Sequence, residues 1–211
     1  MSHSDEKSKT GPAKARLLIP SGLFVPIGAM ALVVVASNIL VQYPFTPWGL
    51  ADYLTWGAFT YPFAFLVTDL TNRRFGPKAA RTVVYVGFAA AVVLSIVLAT
   101  PRIALASGTA FLTAQLIDVA VFHRLRQRLW WMAPLASSLI GSTVDTALFF
   151  TLAFAGSGVG TADYWGLTLP VWVGWATFDF LVKAVHAVAM LGPFHLLRSR
   201  IKASREEYPA L

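Results

Sequence analysis

Apolar residues gather into six stretches of this chain, divided by short polar or basic connections. A membrane span needs about 20 mostly apolar residues. The stretches at 23–42, 56–71, 81–100, 103–122, 131–155 and 167–192 come near that length. The second is short and Pro-interrupted, and its start could reach back to Asp52. The pattern predicts an all-α membrane protein, a six-transmembrane-helix bundle within residues 21–197. The first stretch reads as a retained helix rather than a signal peptide. Residues 1–20 are polar, charged and Pro-punctuated, which predicts a disordered tail, and 198–211 reads as a short basic tail.

Charge placement orients the predicted bundle. Basic residues fall on alternate connections: Lys7, Lys9, Lys14 and Arg16, then Arg73, Arg74, Lys78 and Arg81, then Arg124, Arg126 and Arg128, then Arg198, Arg200, Lys202 and Arg205. The other connections hold Arg102 with Asp52 and Asp163. By the positive-inside rule both termini are expected in the cytoplasm. Tyr43, Trp48, Tyr53, Trp56, Tyr164 and Trp165 form one aromatic belt, and Trp130 and Trp131 mark the other. Small residues recur every fourth position at Gly87, Ala91, Ser95 and Ala99, and again at Ala106, Ala110 and Ala114. Such stripes let helices approach closely within one chain, and a homodimer seam is the alternative.

Composition confirms the class. The chain is 56% hydrophobic and 13% charged, with a mean hydropathy of +0.63, too little polar surface for a soluble domain. The net charge of +7 is dispersed among connections and forms no nucleic-acid-binding face. There is no cysteine, hence no disulfide and no thiolate metal site.

Against this background four aspartates stand out: Asp69, Asp118, Asp145 and Asp179, with Lys183 one turn after the last. A charge at a membrane helix centre costs roughly 2.5–3.5 kcal/mol on translocon scales, so charges retained there commonly line a solute path. Helical spacing sets their companions. Asp69 follows Tyr61, Pro62 and Phe65. Asp118 follows Ser107, Phe111 and Gln115. Asp145 shares a stripe with Ser138, Gly141, Ser142 and Phe149. Trp172, Trp175, Asp179, Lys183 and His186 lie on one broad face, and Asn38 and Gln42 form a smaller polar stripe. Asp179 and Lys183 have the spacing of an intrahelical ion pair. The serines also suit interhelical hydrogen bonds, and the phenylalanines and His186 suit core packing.

Carboxylates accept paired N–H donors and aromatic walls stack flat rings, so a planar heterocycle with an amidine-like edge fits such a cavity. A cation would also suit acids, but no His/Asp/Glu spacing supports a specific metal, and no cofactor is implied.

At these residues the chain resembles a known family. Tyr61-Pro62-Phe63-Ala64-Phe65-Leu66-Val67-Thr68-Asp69-Leu70, followed by Phe75-Gly76, is similar to the helix-2 motif of the queuosine-precursor transporters, also called vitamin-uptake-like transporters. The similarity continues through Arg102-Ile103-Ala104, Ala106-Ser107, Gln115-x-x-Asp118, Val121-Phe122-x-Arg124-Leu125-Arg126, Ala133-Pro134, Ser137-Ser138, Gly141, Asp145-Thr146, Ala153-Phe154, Asp179 and Lys183. Many relatives carry an acid shortly after the helix-2 aspartate, where this chain has Arg73 and Arg74.

The resemblance implies a multi-pass protein of the bacterial inner membrane, not an enzyme. It implies import of 7-cyano-7-deazaguanine or 7-aminomethyl-7-deazaguanine for tRNA queuosine. Carried over, it points to Asp69, Gln115, Asp118, Ser138, Asp145, Asp179 and Lys183 as substrate-binding candidates. Phe65 and Phe111 are added for stacking and Asn38 for its polar stripe. Asp145 or Asp118 is expected to hold the base edge, with Asp179 and Lys183 organising the site. Facilitated diffusion, proton coupling and an energising partner remain open, since no G-x-x-x-x-G-K-[ST] phosphate loop is present. The alternatives are a binding subunit of an energy-coupled importer for another vitamin-like heterocycle, or an intramembrane enzyme. The chain has no H-E-x-x-H, G-x-S-x-G or cysteine nucleophile for the latter.

Overall fold

The computed structural model describes residues 21–164, 166–201 and 203. The expected disordered tail at 1–20, most of the basic tail and Trp165 of the aromatic belt lie outside these residues. The elements run α1 (Phe24–Leu40), α2 (Gly57–Thr60), α3 (Phe63–Leu98), α4 (Pro101–Leu125), α5 (Met132–Phe154), β1 (Thr161–Tyr164), β2 (Leu167–Pro170), α6 (Val171–Ala189) and α7 (Leu191–Arg200).

The chain is mostly helical. Among the described residues four helical runs are long and apolar enough to cross a membrane: Gly57–Leu98, Pro101–Leu125, Met132–Phe154 and Val171–Arg200. Phe24–Leu40 is a shorter apolar helix. The run Gly57–Leu98 contains two of the stretches that the sequence separates, and it is broken inside. Gly76 has φ 83° and ψ 175°, non-helical values, and Pro77 follows it. Pro77 lacks an N–H for the helical ladder, and this φ/ψ region is essentially restricted to glycine.

Two predicted boundaries change. The stretch expected to be helical from residue 167 begins as β2, which pairs antiparallel with β1 from Thr161↔Pro170 to Tyr164↔Leu167. Gly166 supplies the positive φ of 85° that the tight turn needs. The all-α expectation therefore misses one small hairpin. At the other end the expected basic tail begins within a helix, because α7 carries Arg198 and Arg200 in its last turn.

Local chemistry sets the remaining ends. Thr100 caps α4 in the extended region, accepting from the Ile103 N–H at 3.5 Å, and Pro101 occupies the first turn where no N–H is needed. Arg102 then donates to the carbonyls of Leu152 (3.0 Å) and Ala155 (2.5 Å), closing the C-terminal turn of α5. Tyr164 donates to the Val171 carbonyl at 3.2 Å, tying the hairpin to the start of α6.

The core joins α1, α3 and α4 through Met30, Val34, Val83, Val84, Phe111 and Val119. Glycines permit the close approaches. A side chain at Gly87 would meet Met30, and one at Gly141 would meet Phe65. The bundle consequently has two ends. One carries the 41–56 loop, the α3–α4 turn and the hairpin. The other, the basic end, carries Gly76, the α4–α5 connection and α7.

Gly76→Ala is expected to destabilise the detergent-solubilised protein by about 1–3 kcal/mol, because a Cβ strains that φ/ψ. Thermal unfolding of the variant beside the native chain measures it, and an unchanged midpoint would contradict the break.

Candidate functional site

Three helices meet around one lysine. Lys183 of α6 lies 2.7 Å from Asp145 of α5 and 2.5 Å from Asp179 one turn earlier on its own helix. The lysine is 5% exposed, so both ion pairs are drawn largely out of water. Such a charge persists only when every partner is in place. Tyr61, where α2 gives way to α3, donates to Asp145 Oδ1 at 3.1 Å, and its ring lies 5.5 Å from the ammonium. Thr146 donates to Asp179 Oδ2 at 2.7 Å and lies 3.2 Å from the lysine nitrogen.

This trio forms the floor of a cavity of about 550 Å³, within the range of small-molecule sites. Its walls include Tyr61, Phe149, Phe154 and Trp175, with Ser37, Asn38, Ser95 and Ser107 among the polar groups. Asp52 to Thr55 of the 41–56 loop and Leu98 to Thr100 of the α3–α4 turn also line it. The loop is fastened over α6 by Tyr53 against Phe178, ring centroids 4.8 Å apart.

On the other face of the same lysine lies a cleft with room for about one water-sized sphere (~10 Å³). It is lined by Phe65, Asp69, Ser138, Ser142 and His186, and by Phe194 of α7. His186 engages the Val182 carbonyl at 3.2 Å and packs edge-on against Phe59 and Phe63.

The ten sequence candidates thus divide. Asn38, Asp145, Asp179 and Lys183 line the large cavity, while Phe65, Asp69, Ser138 and again Lys183 line the cleft. Phe111, Gln115 and Asp118 line neither. Phe111 belongs to the core, and Gln115 accepts from Thr68 at 2.6 Å. Asp118 is wholly buried beside Asp69 and Ser137. Tyr61 and Thr146, which are not among the ten candidates, bond to the same cluster. Both stand in the quoted motifs, but only the fold brings them to Lys183.

Comparison with known proteins adds to this geometry. The family model described as "Putative vitamin uptake transporter" matches residues 55–100 and 94–197. A "Queuosine precursor transporter" of Escherichia coli (strain K12) is 36% identical over 206 residues, 85% of this chain and 89% of the relative. A "Probable queuosine precursor transporter" of Haemophilus influenzae is 39% identical over 153 residues, 58% of this chain and 65% of the relative. One of Bacillus subtilis, described in the same words, is 30% identical over 172 residues, 68% and 72% respectively. No solved structure matches.

Removing the lysine strands two carboxylates, so Lys183→Met is expected to cost about 3–5 kcal/mol of stability. Asp179→Asn costs less, because Lys183 keeps Asp145 and the Asp179 carboxylate is the more exposed of the two at 16%. Thermal unfolding of both variants checks the order, and a reversed ranking would mean Asp179 is the main counter-ion.

Proposed function

The chain belongs to the queuosine precursor transporter family, and from that premise we propose that it imports 7-cyano-7-deazaguanine or its aminomethyl relative across the bacterial inner membrane. The observation that carries this reading is the cavity of about 550 Å³ ending on the Asp145–Lys183–Asp179 floor.

In this reading six segments cross the bilayer and both termini are cytoplasmic. Helix length supports the count. A straight run of 42 residues would reach about 63 Å, twice the hydrocarbon core of about 30 Å. The Gly76 break lets the chain cross twice instead. Orientation is supported by Arg73, Arg74, Lys78, Arg81, Arg124, Arg126 and Arg128 collecting at the basic end. The large cavity then opens away from the cytoplasm, where an importer first meets its solute.

The chemistry of the floor suits a deazaguanine. The base edge presents parallel N–H donors, and a carboxylate accepts such a pair in plane. On Asp179 the hydrogen bonds from Thr146 and Lys183 both fall on Oδ2 and leave Oδ1 for a single donor. Asp145 has one oxygen turned to Lys183 and the other to Tyr61, and each retains a lone pair. Phe149 and Trp175 offer faces for the fused ring, and Asn38 a polar contact higher on the wall. When the base edge occupies the carboxylates, its N–H groups compete with Lys183 for the same oxygens. Binding thereby loosens the pairs that hold the floor shut.

The test is rescue of tRNA queuosine in a bacterium that neither makes deazaguanines nor has its own importer. Cells expressing this chain and supplied with 7-cyano-7-deazaguanine are expected to regain queuosine. Asp145→Asn is expected to lower the initial uptake rate at least about tenfold, the equivalent of roughly 1.4 kcal/mol. No rescue by native protein shown to be folded in the membrane would refute the reading.

A further inference from the structure

Asp69 and Asp118 form a second buried carboxyl site apart from the large cavity. Asp69 is 2% exposed and Asp118 is 0% exposed. They come from α3 and α4 and lie side by side, with Ser137 of α5 against both.

This cluster is short of hydrogens. Ser137 has a single hydroxyl hydrogen, placed toward Asp69 Oδ1 at 3.2 Å with the Pro134 carbonyl as the alternative at 3.4 Å. Neither oxygen of Asp118 meets a hydrogen-bond donor among the described residues. The neighbouring amides do not fill the gap. Gln115 leaves its Nε2 unbonded and Asn72 gives its amide to the Val119 carbonyl at 2.9 Å.

Among the described residues the ion pairs of Lys183 go to Asp145 and Asp179 and not to Asp69 or Asp118, and His186, which lines the cleft with Asp69, engages the Val182 carbonyl. Arg198 of α7 lies over the Trp130 ring at 4.6 Å. Arg73 of α3 stands one turn past Asp69 with its Nε buried and without a hydrogen-bond partner, and His123 and Arg124 of α4 lie further toward the basic end.

Two adjacent carboxylates removed from water cannot both stay charged. One proton between them removes the repulsion and supplies the hydrogen that Asp118 lacks. A hard metal ion suits the place poorly, since Ca²⁺ or Mg²⁺ takes about six or more oxygens and two carboxyls with one hydroxyl fall short.

We propose that the Asp69–Asp118 pair binds the coupling proton of a proton–solute symporter. The proposal rests on the import reading above. Geometry supplies the link, because Asp69 and Lys183 line one cleft and Lys183 also walls the solute cavity. A solute that takes the carboxylates of the floor releases the ammonium toward the cleft. A cation arriving beside Asp69 favours the ionised pair, and the proton taken up with the solute leaves to the cytoplasm. One proton enters and one leaves for each solute moved.

The experiment uses the full chain in proteoliposomes, tritiated 7-cyano-7-deazaguanine and a trapped pH dye. An acid-outside gradient is expected to accumulate the solute about tenfold per pH unit for one proton per neutral solute. An inward sodium gradient at equal pH is expected to accumulate none. Asp118→Asn and Asp69→Asn are each expected to lower the protons moved per solute moved from about one to near zero, and Asp118→Glu to restore it. In the native protein, a carbodiimide that reacts with protonated buried carboxyls is expected to label Asp69 or Asp118 and spare Asp145. This arm stands even where a variant does not fold.

Solute exchange without accumulation under the pH gradient, accumulation on sodium alone, or full coupling in both asparagine variants would overturn the proton site. Labelling that falls on Asp145 would do so too. A native protein that neither exchanges nor accumulates the solute overturns the import reading and this proposal together.

Discussion

A charge inside a membrane helix is tolerable only when something nearby completes it, and in this protein Lys183 is what completes the centre. It binds Asp179 on its own helix and Asp145 on α5. Through Asp145 it is joined to Tyr61, where α2 meets α3. Three separate pieces of chain are thereby pinned to one point. The cavity above and the cleft below are arranged around it. Without the lysine the two carboxylates would face each other without a counter-ion, and α5 would keep to α6 through other contacts such as Thr146 with Asp179 and Phe154 with Trp175.

The polar groups are segregated by helix face. The α5 stripe that carries Asp145 looks onto α6, while Ser137, two turns toward the basic end, looks onto Asp69 of α3. α4 turns Ser107 and Ala110 to the large cavity and hides Phe111, Gln115 and Asp118 against the helices behind. Ser107 lies on the same stripe as Phe111, Gln115 and Asp118, so depth along α4 and not rotation separates it from them. Ala106, Ala110 and Ala114 are all buried and let α4 sit close to its neighbours.

Much of this was legible in the sequence because its signals are local. Span length, the clustering of basic residues on alternate connections and the four-residue spacing of Asp179 and Lys183 need no knowledge of the fold. What could not be read was direction. Periodicity groups Phe111, Gln115 and Asp118 on one stripe, yet nothing in the stripe says whether it faces a cavity or a neighbouring helix. The partnership of Lys183 with Asp145 is equally hidden, since the residues are 38 positions apart. The hairpin escaped for another reason. Leu167 to Pro170 is apolar enough to pass for the start of a span, and Gly166 and Pro170, which bracket it as a strand, were outweighed by the long apolar run that follows.

Because one side chain lines both the large cavity and the cleft, the two spaces share a wall at Lys183. Its strength is electrostatic and not steric. A partition of interleaved leucines would yield only to helix movement and would be indifferent to what approached it. This one is as firm as its ion pairs, and it is selectively weak toward any molecule able to take a carboxylate oxygen from the ammonium. In the proposed import the lock and the recognition element are the same few atoms, so a solute without paired donors meets a wall where one that has them meets a latch.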